Sequence, residues 1–269
     1  MSVNSIFMDI SFEVVSLLII SGLIVGFINT LAGGATVISI TFFLLAGLPP
    51  AVANGTNRIP IVMQNLAASF NFKRQELLDV RLGLRLSVPM VIGSVTGALA
   101  AGQISDTAFR WTLAIVLFMV LWFMMFSPVK YLKGEKIERK IDWKFYLIFL
   151  FIGFYAGFIY VGLGYLLLAA AIAGLRYDIV RANALKGFIA LVTTPFSLII
   201  FMLDGNINYS YGLIHSVGNI IGAYIASKYA SGFGVSFLKW FLICFILLTI
   251  ANLFGIISIG EALQNLFRV

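Results

Sequence analysis

Ten apolar stretches separated by short polar breaks make up most of this 269-residue chain, and that pattern limits its fold more than any motif does. In the first half they cover residues 12–31, 35–47, 51–70, 82–102 and 108–126. In the second half they cover 143–163, 165–174, 180–203, 209–229 and 235–257. Most can cross a hydrocarbon core of about 30 Å as helices. Charged residues are 11% of the chain, against about a quarter in soluble domains, and the mean hydropathy is +1.04. A water-facing surface cannot be covered with so few charges, so the solvent is lipid. Backbone groups in lipid must be satisfied within the fold, and apolar runs of this length do so as helices. The expected fold is an all-α polytopic membrane protein, multi-pass in a cell membrane.

The halves resemble each other. Ala53 and Asn54 align with Ala182 and Asn183 at an offset of 129 residues. The same offset pairs Gly83 with Gly212, Ser87 with Ser216, Gly93 with Gly222 and Trp111 with Trp240. With a small gap, Gly26-Phe27-Ile28 pairs with Gly157-Phe158-Ile159. The reading is a duplication: a first membrane repeat at 1–129, a cytoplasmic linker at 130–144 and a second membrane repeat at 145–269, each repeat holding about five helical segments.

Basic residues favour the cytoplasmic side of short loops. Lys73, Arg74, Arg81 and Arg85 follow the third segment of the first half, whereas the corresponding loop at 204–208 has no base. The preceding corner shows the reverse: 47–54 is uncharged, but its counterpart carries Arg176 and Arg181. The linker holds six bases against three acids. These assignments require opposite orientations of the two repeats and place both termini outside the cytoplasm. They also attribute most of the net charge of +7 to topology rather than to nucleic acid. Because no Lys or Arg precedes Arg58, the first apolar run lacks the basic flank of a cleaved signal peptide and is expected to remain as a helix.

The second segment of each half, 35–47 and 165–174, spans about 15–20 Å as a helix, too short to cross alone. Each is expected to form a broken or re-entrant hairpin with the segment before it, turning at Gly33-Gly34 or at Gly162-Leu163-Gly164. Irregular backbone at that depth is tolerated where it is buried in protein or lines a cavity. Inverted repeats with broken helices place a transporter's site at the repeat interface near the midplane.

The Gly-rich hairpin GFINTLAGG at 26–34, the run Ala53-Asn54-Gly55-Thr56-Asn57 and the second copies at 157–164 and 181–186 resemble the sulfite exporter TauE/SafE family of anion permeases. The resemblance covers nearly the whole chain. The second half departs from it, with Ala184-Leu185 in place of a Gly-Thr pair. The resemblance implies a small anion such as sulfite, a sulfonate or a related oxyanion, without selecting one.

The residues themselves also lead to an anion. Apart from Glu13 at the very start of the first, the apolar segments contain no Asp or Glu, and the ionisable groups at depth are Arg58 and Lys186, one position apart in repeat register. A charge inside the bilayer costs about 3 kcal/mol on insertion scales and by default marks a functional site. With Asn54, Gly55, Thr56, Asn57 and Asn183, these cations form a polar start to each third helix, whose N–H groups and dipole favour an anion. Gly33, Gly34, Gly162 and Gly164 add backbone N–H groups. Against this, Arg58 and Lys186 could snorkel to the surface, Asn54 and Asn183 could cap their own helices, and the glycines could be purely architectural. Thr193-Thr194-Pro195 is expected to mark a kink whose hydroxyls satisfy freed backbone.

The expected function is secondary transport of a small anion, in the export direction, with the lipid bilayer and the anion as partners. An intramembrane enzyme and a non-transporting assembly factor are the alternatives. Enzyme chemistry lacks a nucleophile–base motif: His215 is the one histidine and Cys244 the one cysteine, which also makes a metal site improbable. No Walker motif occurs, and no cofactor is expected.

Overall fold

The computed structural model describes residues 10–126 and 142–229, with scattered positions between 243 and 254. Most of the expected linker and most of the last apolar segment lie outside the described residues. Those described form helices and no strand. They are α1 (Phe12–Leu31), α2 (Thr36–Leu45), α3 (Pro50–Thr56), α4 (Arg58–Arg74), α5 (Val80–Gly102), α6 (Asp106–Phe126), α7 (Trp143–Phe158), α8 (Leu163–Ala169), α9 (Ile179–Leu203) and α10 (Tyr209–Lys228). A π-helical turn, Ala170–Gly174, extends α8. Among them α1, α5 and α9 are long and apolar enough to cross a membrane. The chain is an all-α membrane protein.

Large apolar side chains lie on both sides of the bundle wall, with Phe43, Phe109, Phe149 and Phe201 buried and others turned to the lipid. Among the latter, Val88, Ile92, Trp111, Phe118, Trp122 and Phe151 are all more than half or about half exposed. Small residues face inward, as with Gly83, Ser87, Gly93, Ser94, Gly97 and Ala98 on α5. With lipid outside, helix association gains little from burying apolar surface, so close backbone approach through small residues replaces it. A Cβ at Gly93 or Gly97 would stand 2.0 Å from a carbonyl oxygen of α7, and one at Gly157 would stand 1.9 Å from that of Ser94. Gly22, Gly26, Gly218 and Gly222 make the equivalent seam between α1 and α10.

Contact order gives the helix directions. On α1 and α10, Gly22 lies against His215 and Asn219 while Phe27 meets Gly222, so residue numbers ascend together. On α5 and α7, Met90 meets Gly153 and Ala98 meets Gly157, again ascending together. Asn208 donates to Thr56, and Asn71 donates to Ser227, so α4 and α10 run in the same sense. Gly83 lies near Leu185 and Gly102 near Asp204, so α5 and α9 also do. Across α4 and α9 the order reverses, with Gly55 against Phe201 and Asn65 against Gly187. Helices α1, α4 and α10 therefore share one sense, and α5, α7 and α9 share the other.

One local feature departs from the sequence reading. The third segment of the first half is interrupted at Asn57, which separates α3 from α4, so Arg58 begins a helix instead of lying two turns inside one. At the Thr-Thr-Pro step α9 runs on as one element with Pro195 inside it. There Thr194 donates back to Ala190 O at 2.7 Å, while the Thr193 hydroxyl has no partner.

Candidate functional site

Neither interior cation snorkels. Arg58 is 0% exposed and Lys186 is 5% exposed, and each reaches across to the interrupted helix of the other half. α1 ends at Leu31 and α7 at Phe158, which leaves their last carbonyls short of backbone donors, Asn29 O alone also accepting from Gly33 N at 3.0 Å. The Lys186 ammonium donates to Asn29 O at 2.8 Å, to Thr30 O at 3.1 Å and to Asn183 Oδ1 at 2.7 Å. The Asn183 amide donates in turn to Leu31 O at 2.7 Å. At the other end, the Arg58 guanidinium donates to Ala156 O and to Gly157 O, and more weakly to Asn54 Oδ1 at 3.3 Å. The Asn54 amide donates to Phe158 O at 2.9 Å. Each Asn–cation pair thus closes three successive carbonyls at the end of a broken helix.

Asn54 and Asn183 are not caps of their own helices. Asp178 caps α9 by accepting from the backbone of Val180 and Arg181, and α3 begins at Pro50 without a side-chain cap. The sequence argument expected the cations beside helix N-termini; their hydrogen bonds instead go to C-termini, where the macrodipole leaves roughly half a negative charge. Among the described residues no carboxylate is buried. The cations are therefore only partly compensated, by carbonyl dipoles alone. Tyr160 and Phe201 enclose the guanidinium, with ring centroids 4.8 and 5.1 Å from Cζ. Tyr160 holds a left-handed backbone, φ 63°, to do so.

The two turns meet. Gly33 and Gly34, with φ 76° and 80°, pass so close to the second turn that a Cβ on Gly33 would stand 2.7 Å from Gly164 backbone. The reciprocal Cβ on Gly164 would stand 2.5 Å from Gly33 Cα. The two broken hairpins therefore touch at their turns, and each carries the carbonyls that an Asn–cation pair of the other half closes. The profile of the sulfite exporter TauE/SafE family matches residues 18–253, which takes in both hairpins and both pairs.

The chain belongs to the sulfite exporter TauE/SafE family.

It is also similar to a probable membrane transporter protein of Haemophilus influenzae, 28% identical over 82% of this chain and 87% of that protein. The probable membrane transporter protein ORF9 of a Sinorhizobium species is 25% identical over 86% of this chain and 88% of its own. The probable membrane transporter protein YfcA of Escherichia coli K12 is 26% identical over 84% and 83% respectively. No solved structure gives a significant match. The family and these relatives make the protein a membrane transporter.

Within this TauE/SafE chain the remaining expected site residues divide. Thr56 accepts the backbone N–H of Asn208 at 2.8 Å, and a Cβ at Gly55 would stand 2.1 Å from Asn206 O, so both hold the loop after α9. Gly162 adopts φ 74° and lies against Val120. Asn57 is 1% exposed, and neither end of its amide has a partner. The carbonyls of residues 29–31 and 156–158 were not legible as partners, because any residue type carries a carbonyl and only the fold brings these to the cations. His215 has both ring nitrogens engaged inside the bundle: Nδ1 contacts Leu18 O at 2.8 Å, Nε2 meets Ser39 Oγ at 2.9 Å, and Phe43 packs edge-on at 5.2 Å.

Proposed function

We propose that this transporter moves a small oxyanion, sulfite, a sulfonate or a close relative, out of the cell across the cytoplasmic membrane, and that it is not an enzyme. The observation that carries the reading is the pair of buried cations, each reaching into the other half and neither matched by a buried carboxylate among the described residues. Taking each helix end as about half a negative charge, the two sites together retain roughly one positive charge. That excess suits one monoanion and repels cations. With the interior negative, efflux of a monoanion gains about 2.3 kcal/mol per 100 mV, so export needs no coupling ion.

The halves are read as inverted repeats, 1–129 and 145–269, joined by a cytoplasmic linker. In support, helices that correspond by sequence offset (α1 with α7, α4 with α9, α5 with α10) run in opposite senses. The Asn–cation caps correspond in the same way. The substrate contacts are assigned to Asn54, Asn57, Arg58, Asn183 and Lys186, with backbone N–H groups of Gly33, Gly34 and Gly164 at the meeting of the turns. Because the cations bridge the halves, rocking of one half against the other must exchange carbonyl contacts for contacts to the anion.

The test is efflux from proteoliposomes loaded in turn with sulfite, sulfate, thiosulfate, a sulfonate and a small carboxylate. At least one anion leaves faster when the interior is made negative, and cations such as ammonium do not leave. If every anion is retained, the reading fails. Side-specific labelling of tags at both ends tests the orientation: a single cytoplasmic terminus overturns the inverted arrangement.

A further inference from the structure

Buried polar groups normally find partners, and the exceptions mark places where something outside the chain supplies them. In this bundle three such groups stand out, and two of them occupy equivalent positions of the halves. The Asn57 amide, the Gln64 Oε1 atom and the Thr193 hydroxyl are buried without a hydrogen-bond partner, the three residues being 1–2% exposed. Asn57 and Gln64 are seven residues apart, two turns, and so share a face of α4 and its entry. Thr193 lies seven residues beyond Lys186 on α9. The 129-residue offset aligns Asn57 with Lys186 and Gln64 with Thr193. Other unpartnered hydroxyls, those of Ser69 and Ser94, align with the apolar Leu198 and Ala223.

Depth brings the matched pair together. The antiparallel contacts of α4 with α9 set Asn65 beside Gly187 and Gly55 beside Phe201. On that register Gln64 and Thr193 stand within about one helical turn of each other along the bundle, roughly 5 Å. Gly187 keeps the seam tight at Asn65, where an added Cβ would stand 3.3 Å from the side-chain oxygen. Leaving such groups unmatched costs about 1–3 kcal/mol each, a cost that water or a polar solute beside them would remove.

We infer that Gln64 and Thr193, at similar depth on α4 and α9, line a polar passage beside the α4–α9 contact that admits a hydrated small oxyanion beyond the cation sites, with Asn57 at its mouth. An acceptor on Gln64 and a hydroxyl on Thr193 suit an oxyanion that keeps its own proton or water shell, not a bare halide. The inference rests on the anion-transport reading and extends it from Asn57 to Gln64 and Thr193, which that reading does not use.

The experiment introduces Gln64→Cys or Thr193→Cys into a Cys244→Ala background, with Leu86→Cys as the dry control and Arg85→Cys as the wet one. Proteoliposomes are treated with a small cationic methanethiosulfonate reagent. The thiols at 64 and 193 react, the one at 86 does not, and the one at 85 reacts at once. If 64 and 193 stay unmodified in protein that elutes as folded, the passage does not exist. In parallel, Thr193→Val keeps the shape and removes the hydroxyl. Sulfite efflux falls about tenfold if the hydroxyl meets the solute; a raised thermal midpoint with unchanged efflux means a merely buried hydroxyl and refutes the inference. Loss of all anion flux in the unmutated protein, with 64 and 193 still reactive, condemns the transport reading while the hydrated passage stands.

Discussion

Replacing Gly157 by Ala tests the link between helix packing and the cation site. A Cβ there stands 1.9 Å from Ser94 O, 2.7 Å from Ser94 C and 2.8 Å from Ala98 N, all backbone of α5. A close carbon–oxygen contact needs about 3.3 Å, so about 1.4 Å has to be found. No side chain can rotate away, and α7 has to withdraw from α5. Overpacking of this kind costs about 1–3 kcal/mol. The withdrawal carries with it Gly157 O and Ala156 O, the two acceptors of Arg58. A displacement near 1 Å at a positioned group can cost about a hundredfold in rate. Gly157→Ala is therefore expected to lower the thermal midpoint in lipid nanodiscs and to cut anion efflux by one to two orders of magnitude. Gly47→Ala is the control, because its φ is 84° but nothing lies within 4 Å of the added Cβ; it bears the backbone cost of about 1 kcal/mol without moving a helix. Equal thermal midpoints and efflux for Gly157→Ala and the unmutated protein would refute the reasoning.

Further outcomes follow from the same geometry. Arg58→Lys keeps the charge but replaces a planar fork, whose two nitrogens reach Ala156 O and Gly157 O separately and whose plane packs on Tyr160 and Phe201, with a shorter ammonium; it is expected to lose the equivalent of one charge-assisted bond, about 1.5–3 kcal/mol, read as a lower thermal midpoint. Gly33→Ala combines φ 76° with a 2.7 Å clash against Gly164 backbone and is expected to destabilise more than Gly47→Ala in the same melt. His215→Leu strands Ser39 Oγ and costs about 1–3 kcal/mol in stability, while efflux per folded molecule stays within twofold of the unmutated protein, which separates a structural histidine from a proton carrier.

Sequence disclosed the parts of this fold that depend on composition and periodicity. The apolar segments at 12–31, 82–102 and 143–163 correspond closely to α1, α5 and α7, because burial in lipid leaves little freedom over where such runs begin and end. The glycine turns were legible as well, since a short apolar segment cannot span the membrane and must fold back. The break at Asn57 was not, because Gly-Thr-Asn-Arg carries no signal that separates a continuous helix from an interrupted one. Nor was the role of Asn54 and Asn183. An asparagine four or three residues before a cation reads as a helix start, and only the approach of the opposite hairpin shows that both face carbonyl ends. Tyr160 was overlooked because its place over Arg58 depends on a left-handed backbone that is unusual for a tyrosine.

The most direct test of the account is charge movement across a supported bilayer holding the purified protein after a sulfite concentration jump. The unmutated protein is expected to give a current carried by negative charge, and none on an ammonium jump. Arg58→Gln and Lys186→Gln, each eluting as folded protein, are expected to give less than about a tenth of it, the factor that about 1.4 kcal/mol of lost anion stabilisation produces. An undiminished sulfite current in both variants, or a current carried by the cation, would contradict the claim that the two buried cations handle a small anion.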